Sequence, residues 1–489
     1  MSLVLLVIAF VILLFFSLIL KKSLLVSAAV SLFISLLIIA ITGNTESNVI
    51  LGAFAHGLLV AAEIALLVFG ALLFYNYLRQ EGFIQELENA LTRFSTNKLV
   101  VGILLAFFFG SFIEGVSGFG TPAMIFAPLL LGLRFPVYLA AALPLLSNTV
   151  PVVFGAVGTP IKVGLADLPV GSTPIYAAML MLMPVIAIPI LCKRFLQAEG
   201  LLTEGPNYFI AIMAGVSFAI PFLLFAFSGP DFPSIAAPVA GLAVWLLVLK
   251  ATGKSMAIVN GTTLTNFYST FKPYLFIALL LVAGKFLLGD TKFIIDSPGI
   301  QLKKSISLFQ PGLIFILGLL FLFANNKSKS AISLKQLFRQ TALRLPVTVA
   351  TIACLAILAR LLSQDMNLED VFNSADAPDE LFYIMALATG FLGSFIAGSA
   401  TVSNLMFGGE WYAAGVQLDL NISFLLAAQL AGAGLGNALS VQNIAMVQAV
   451  LNEKGLGPGI IAKLWKPVLL IFFLTVVTAV IIANSPWFP

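Results

Sequence analysis

The chain has 489 residues, 60% of them hydrophobic and only 9% charged. Soluble domains carry roughly a quarter of charged residues, so this composition excludes an ordinary soluble protein and points to a polytopic membrane protein. The net charge of +4 is the usual surplus of loop lysine and arginine, not a nucleic-acid footprint.

Apolar runs of about 17–25 residues each span a bilayer. About fourteen candidates occur, near 1–20, 23–42, 51–77, 98–113, 136–150, 172–192, 208–227, 232–249, 273–288, 309–325, 346–363, 381–398, 421–440 and 465–484. The first lacks a basic start and a small-residue cleavage site, so it reads as a membrane helix rather than a signal peptide. The third carries His56 and Glu63 on one helical face two turns apart. They form either an internal polar pair or a proton relay. Residues 80–97 are amphipathic and of mixed charge, which suits the membrane interface.

Next comes Gly110-Ser-Phe-Ile-Glu-Gly-Val-Ser-Gly-Phe-Gly-Thr-Pro122, which interrupts an apolar run with a carboxylate, hydroxyls, glycines and a proline. Non-helical backbone survives at membrane depth only when buried in protein or lining a wet cavity. The apolar run 123–133 is short for a full crossing, so 114–134 reads as a re-entrant hairpin. An ionisable side chain at this depth marks a functional site by default. Glu114 costs less there neutral than charged, so reversible protonation offers a coupling step. The bland alternative pairs it with a helix end or Arg134. Arg134 and Lys162 read as interfacial snorkelling residues.

The following span breaks at Ser147-Asn-Thr-Val-Pro-Val-Val-Phe-Gly-Ala-Val-Gly-Thr-Pro160. Its prolines and glycines interrupt the helical ladder, which predicts a discontinuous helix over 136–166. The second half repeats this order. Gly393-Ser-Phe-Ile396 matches Gly110-Ser-Phe-Ile113 letter for letter, and Gly436-Asn-Ala-Leu-Ser-Val-Gln-Asn443 stands where Ser147-Asn148-Thr149 stood. The expectation is an all-α membrane protein of about 12–14 helices in two repeats. The first is 1–206. Connecting helices follow at 207–270. The second is 271–489, with a hairpin at 397–417 and a broken helix at 421–450. Basic residues in 79–98 and 327–344 and acids in 364–380 favour inverted repeats, although the even number of spans between the basic flanks favours parallel ones; inversion is the reading adopted.

Paired interrupted segments in corresponding positions of two halves point to a transporter's binding site, with half-helix N-termini facing an anion. The candidate substrate-lining residues are Ser117, Gly118, Gly120, Thr121, Asn148 and Thr149 from the first half. Ser399, Thr401, Ser403, Asn404, Asn437 and Asn443 are their second-half counterparts. The competing reading of their hydroxyls and amides is the recapping of broken helix ends. The proton-coupling candidates are Glu114, Glu63 and His56. Cys192 and Cys354 lie in separate apolar spans and read as small buried hydrophobes; no metal site and no cofactor is expected.

These motifs, with Phe395-Ile-Ala-Gly-Ser-Ala-Thr-Val-Ser-Asn-Leu-Met-Phe-Gly-Gly409, resemble the bacterial L-lactate permease family. The resemblance implies a secondary carrier, not an enzyme, that takes up L-lactate, glycolate and similar 2-hydroxy-monocarboxylates by proton symport across the bacterial plasma (inner) membrane. Its implied partners are the monocarboxylate, the coupling proton and the bilayer, with no nucleic acid; oligomerisation is left open. Gln442 stands where the family's histidine is expected. A sodium-coupled carrier of another small carboxylate, with the same architecture, is the alternative.

Overall fold

A computed structural model of the chain describes residues 8–485, apart from 43–45, 87–96, 203–207, 253–271, 326–332, 363–377 and scattered positions of one or two residues. Most of the amphipathic stretch 80–97, the Lys327 and Lys329 end of the basic loop and the acids Asp365 to Asp376 therefore lie outside the described residues.

Lipid offers no hydrogen bonds, so an apolar chain must satisfy its backbone internally, and helices do so. Among the described residues nine helices are long and apolar enough to cross a membrane. Of the five other apolar runs, 136–150 is bent, 309–325 and 346–363 are short, and 1–20 and 273–288 include residues outside the described set. Val137–Ser147 and Pro151–Lys162 form one bent pair, at 48°, and Thr121–Gly132 and Pro311–Asn325 fall short of a full span. One element departs from the all-α expectation. Lys292–Ser297 pairs antiparallel with Leu302–Ser307, and the turn between them rests its Ile300 carbonyl on Gly52 of the helix Ser47–Gln80.

Two helix–turn–helix hairpins organise the centre. In the first, Lys98–Gly102, a π-helical stretch Ile103–Phe109 and Gly110–Ser117 follow one another, and Thr121–Gly132 returns. The turn between them needs Gly118 and Gly120, at φ 64° and 70°, a left-handed region that costs glycine little. The Lys98 ammonium donates to the Leu133 carbonyl at 2.6 Å, which ties the hairpin's two ends together. In the second hairpin Asp379–Ala397 ends at Gly398, and Ala400–Gln417 returns. Ser399 caps that return by accepting from the Val402 N–H at 3.3 Å.

The long helix Leu456–Ala483 measures the relation between the hairpins. Its 28 residues rise about 42 Å. Near its start, Gly459 abuts the Tyr138 ring beside the base of the first hairpin. Just beyond its end, Asn484 donates to Glu380 at 2.9 Å, at the base of the second. The two hairpin bases therefore lie near opposite ends of this helix.

Each hairpin is followed by a broken helix. The second one, Ile422–Asn437 and Val441–Leu451, is clamped to Asp379–Ala397 through bare backbone. A Cβ on Gly432 would run into the Leu387 carbonyl, and one on Gly436 into that of Phe391. This is the small-xxx-small logic of membrane helix packing, in which close backbones gain dispersion contacts that lipid does not supply. A buried polar chain reinforces it. The Trp411 indole donates to Thr389 at 2.8 Å, Thr389 to Gln429 at 3.0 Å, and Gln429 to Ser403 at 3.2 Å.

Candidate functional site

The four breaks meet. One cavity is lined by Glu114, Gly118 and Gly120 from the first hairpin and by Val152, Gly155, Ala156, Thr159 and Pro160 from the first broken helix. Gly398, Ser399, Ala400 and Thr401 from the second hairpin and Asn437 from the second broken helix complete it. The room it leaves for the centre of a water-sized sphere is about 20 Å³. Only one or two waters need that much, so the cavity is small. Both Thr121–Gly132 and Ala400–Gln417 begin at this cavity's edge, with the Thr121 and Ala123 N–H groups taken by the Gly118 and Gly120 carbonyls and the Val402 N–H by Ser399. Their positive dipole ends favour an anion there.

Glu114 is buried, 1% exposed. The Asn148 side chain and the Gly120 N–H lie within hydrogen-bonding reach of its carboxyl, while Oε2 has no partner. Gly155 makes room for it, since a Cβ there would sit 2.8 Å from Glu114 Oε1. Among the described residues no lysine, arginine or histidine lines the cavity. Further unpartnered buried oxygens lie at the breaks, Oδ1 of Asn148, Asn404 and Asn443 and Oε1 of Gln442. Such atoms cost free energy unless water or a ligand reaches them.

The sequence-derived candidates divide by what their side chains touch. Gly118, Gly120, Ser399, Thr401 and Asn437 face the cavity. Asn443 stands behind Asn437, donating to its Oδ1 at 2.9 Å, and Asn437 donates to the Gly398 carbonyl at 3.2 Å. This amide chain links the second broken helix to the second hairpin. A Cβ on Gly120 would lie 3.2 Å from Asn443 Oδ1, so the first hairpin's turn touches the same chain. Thr121 and Thr149 bond back to the carbonyls of Gly118 and Leu146, which recaps broken helix ends. Ser403 belongs to the buried polar chain described above. Asn404 donates to the Pro160 carbonyl at 3.0 Å and so holds the second hairpin against the first broken helix. The side chain of Ser117 lies outside the described residues.

His56 and Glu63 lie apart from this cavity. Glu63 pairs with Lys304 at 2.6 Å and meets Gln310 at 3.5 Å, which pins the strand Leu302–Ser307 to the helix Ser47–Gln80. Lys162 pairs with Asp231. The lining residues that sequence reasoning did not name as such are Val152, Gly155, Ala156, Thr159, Pro160, Gly398 and Ala400. Ala156 and Val157 have φ 48° and 59°, a left-handed backbone that is rare for any side chain and rarer for a β-branched one. Only the glycines and prolines flanking them signalled a break.

The profile of the L-lactate permease family matches residues 3–282 and 287–485. The chain belongs to the L-lactate permease family. The L-lactate permease of Escherichia coli (strain K12) is 26% identical over 478 residues, 88% of this chain and 85% of that protein. The L-lactate permease of Bacillus subtilis (strain 168) is 24% identical over 456 residues, 82% of this chain and 80% of that protein. The glycolate permease of Escherichia coli (strain K12) is 24% identical over 488 residues, 88% of this chain and 86% of that protein. As an L-lactate permease family member with this many apolar helices, the chain is a transporter and not an enzyme, a multi-pass protein of the bacterial inner membrane.

Proposed function

We propose that this chain imports L-lactate, glycolate and similar 2-hydroxy-monocarboxylates by proton symport, with the anion held where the four breaks meet. The observation that carries the reading is Glu114, a buried carboxyl with an unpartnered oxygen, in a cavity that both hairpins and both broken helices line. The half-helix N-termini supply positive potential for the substrate carboxylate, and Ser399, Thr401 and Asn437 supply polar contacts for it and the 2-hydroxyl. An ionised Glu114 beside that anion has no cation among the described lining residues to offset it, and two like charges in one small buried site repel strongly. A proton on Glu114 removes that repulsion, which makes anion binding and proton binding mutually favourable. In this reading the halves 1–206 and 271–489 form an inverted pair around helices within 207–270. Rocking of one half against the other would expose the cavity to each side alternately.

The unpartnered amide oxygens of Asn148 and Asn443 favour one second reading, sodium coupling of another small carboxylate, because such oxygens suit a hard cation. Labelled lactate uptake into liposomes, with proton and sodium gradients imposed separately, distinguishes the two. Accumulation with an inward proton gradient alone is expected. Accumulation with sodium alone would transfer the proposal to the second reading, and none under either would end both.

Thr401→Val and Asn437→Ala are each expected to raise the KM for lactate about 10-fold, the scale of one buried hydrogen bond left unmade, with membrane protein levels unchanged. Unaltered KM in both variants would place the substrate elsewhere.

A further inference from the structure

The cavity lining is of two chemical kinds. Glu114, Ser399, Thr401 and Asn437 bring polar atoms to it, whereas Val152, Ala156 and Ala400 bring only methyl groups. Val152 and Ala400 pack with the buried Ala433 into a small apolar cluster of their own, separate from the main hydrophobic core. Its three members come from three elements, the 3₁₀ turn Pro151–Phe154, the return arm of the second hairpin and the second broken helix. An apolar patch walled off from the core, yet open to a polar cavity, has chemistry suited to one part of an amphipathic small molecule.

We propose that Val152 and Ala400, backed by Ala433, form the subsite that receives the carbon chain beyond C2 of the substrate, and so set the length of 2-hydroxy acid that the protein carries. The inference rests on the reading that this cavity binds 2-hydroxy-monocarboxylates. A carboxylate or hydroxyl placed against these methyl groups would lose its water and gain no donor, which is strongly unfavourable. The same placement suits the methyl of lactate. The carboxylate is thereby directed toward the polar groups of the lining, Ser399, Thr401 and Asn437. Glycolate has no carbon to offer the patch, lactate has one, and 2-hydroxybutyrate has two. Room in the cavity is small, so each added carbon must find space at Val152, the bulkiest of the three.

The test compares initial uptake rates of labelled glycolate, L-lactate and 2-hydroxybutyrate into liposomes holding the unsubstituted protein, Val152→Ala or Val152→Ile. Ratios between acids within one variant cancel differences in the amount of folded protein. Val152→Ile is expected to lower lactate relative to glycolate by about 10-fold, the discrimination that one methylene produces in an apolar pocket. Val152→Ala is expected to raise 2-hydroxybutyrate relative to lactate by a similar factor. The two substitutions change the cavity in opposite senses, so the two shifts must also be opposite. If both variants carry the three acids in the same proportions as the unsubstituted protein, the subsite is not at Val152, while the transport function stands. If the unsubstituted protein carries none of the three acids, the reading of the cavity falls and this proposal with it.

Discussion

Glu114→Gln is expected to abolish uphill lactate uptake driven by a proton gradient while leaving lactate exchange across the membrane intact. The glutamine has nearly the same shape, and its amide can keep one oxygen toward Asn148 and the Gly120 N–H, which lie beside the native carboxyl. What it cannot do is gain and lose a proton. With the side chain permanently neutral, the anion meets no like charge in either orientation of the cavity, so binding and exchange of labelled for unlabelled lactate continue. Accumulation should fall by about 100-fold or more, the scale on which a single proton-transferring group matters. Liposomes loaded with unlabelled lactate measure the exchange, and liposomes with an acidic exterior measure the accumulation. A variant that still concentrates lactate would remove Glu114 as the coupling group. A variant that neither exchanges nor accumulates, although folded, would recast Glu114 as a substrate ligand.

The parts of this site that were legible in the sequence are those where chain chemistry conflicts with lipid. Gly118, Gly120 and Gly398 stand out because glycine in an apolar run weakens a helix, and each adopts a positive φ. Glu114 stands out because a carboxyl in hydrocarbon is costly. The roles of the small polar residues were not legible. Thr149 and Thr401 are the same residue type beside a break, yet one bonds its own helix at 2.8 Å and the other faces the cavity. Direction is set by the partner each finds in space, and nothing local encodes it. The pairing of Glu63 with Lys304 shows the same limit. Helical periodicity correctly put His56 and Glu63 in one helix. The cation that occupies Glu63 comes from a β-strand far along the chain, whose short hairpin hid between two apolar runs. Apolar lining residues such as Val152 and Ala400 carried no signal, because in a chain of this composition valine and alanine are the background.

Gly155→Ala tests whether the position of Glu114, and not only its charge, matters to transport. Gly155 has an ordinary extended backbone at φ −63° and ψ 156°, so alanine fits the chain there without torsional strain. The obstacle is spatial, because the added Cβ would lie 2.8 Å from Glu114 Oε1, well inside the roughly 3.5 Å of a comfortable contact. The carboxyl must then swing away from Asn148 and Gly120, or the first broken helix must back off from the first hairpin. Either response displaces the coupling group by a good fraction of an ångström, and misplacement on the scale of 1 Å costs about 100-fold in rate. Proton-driven lactate uptake by Gly155→Ala should therefore fall by about that factor, with the protein still folded in the membrane. Gly409→Ala is the control, because a Cβ there meets no atom within 4 Å and uptake should not change. Exchange separates the two responses of Gly155→Ala. If only the carboxyl swings, exchange survives as it does in Glu114→Gln, whereas if the helix backs off, the cavity itself deforms and exchange is lost together with accumulation. Normal uptake by Gly155→Ala would mean that the contact between Gly155 and Glu114 does not persist through the transport cycle, and the coupling carboxyl would have to be sought elsewhere.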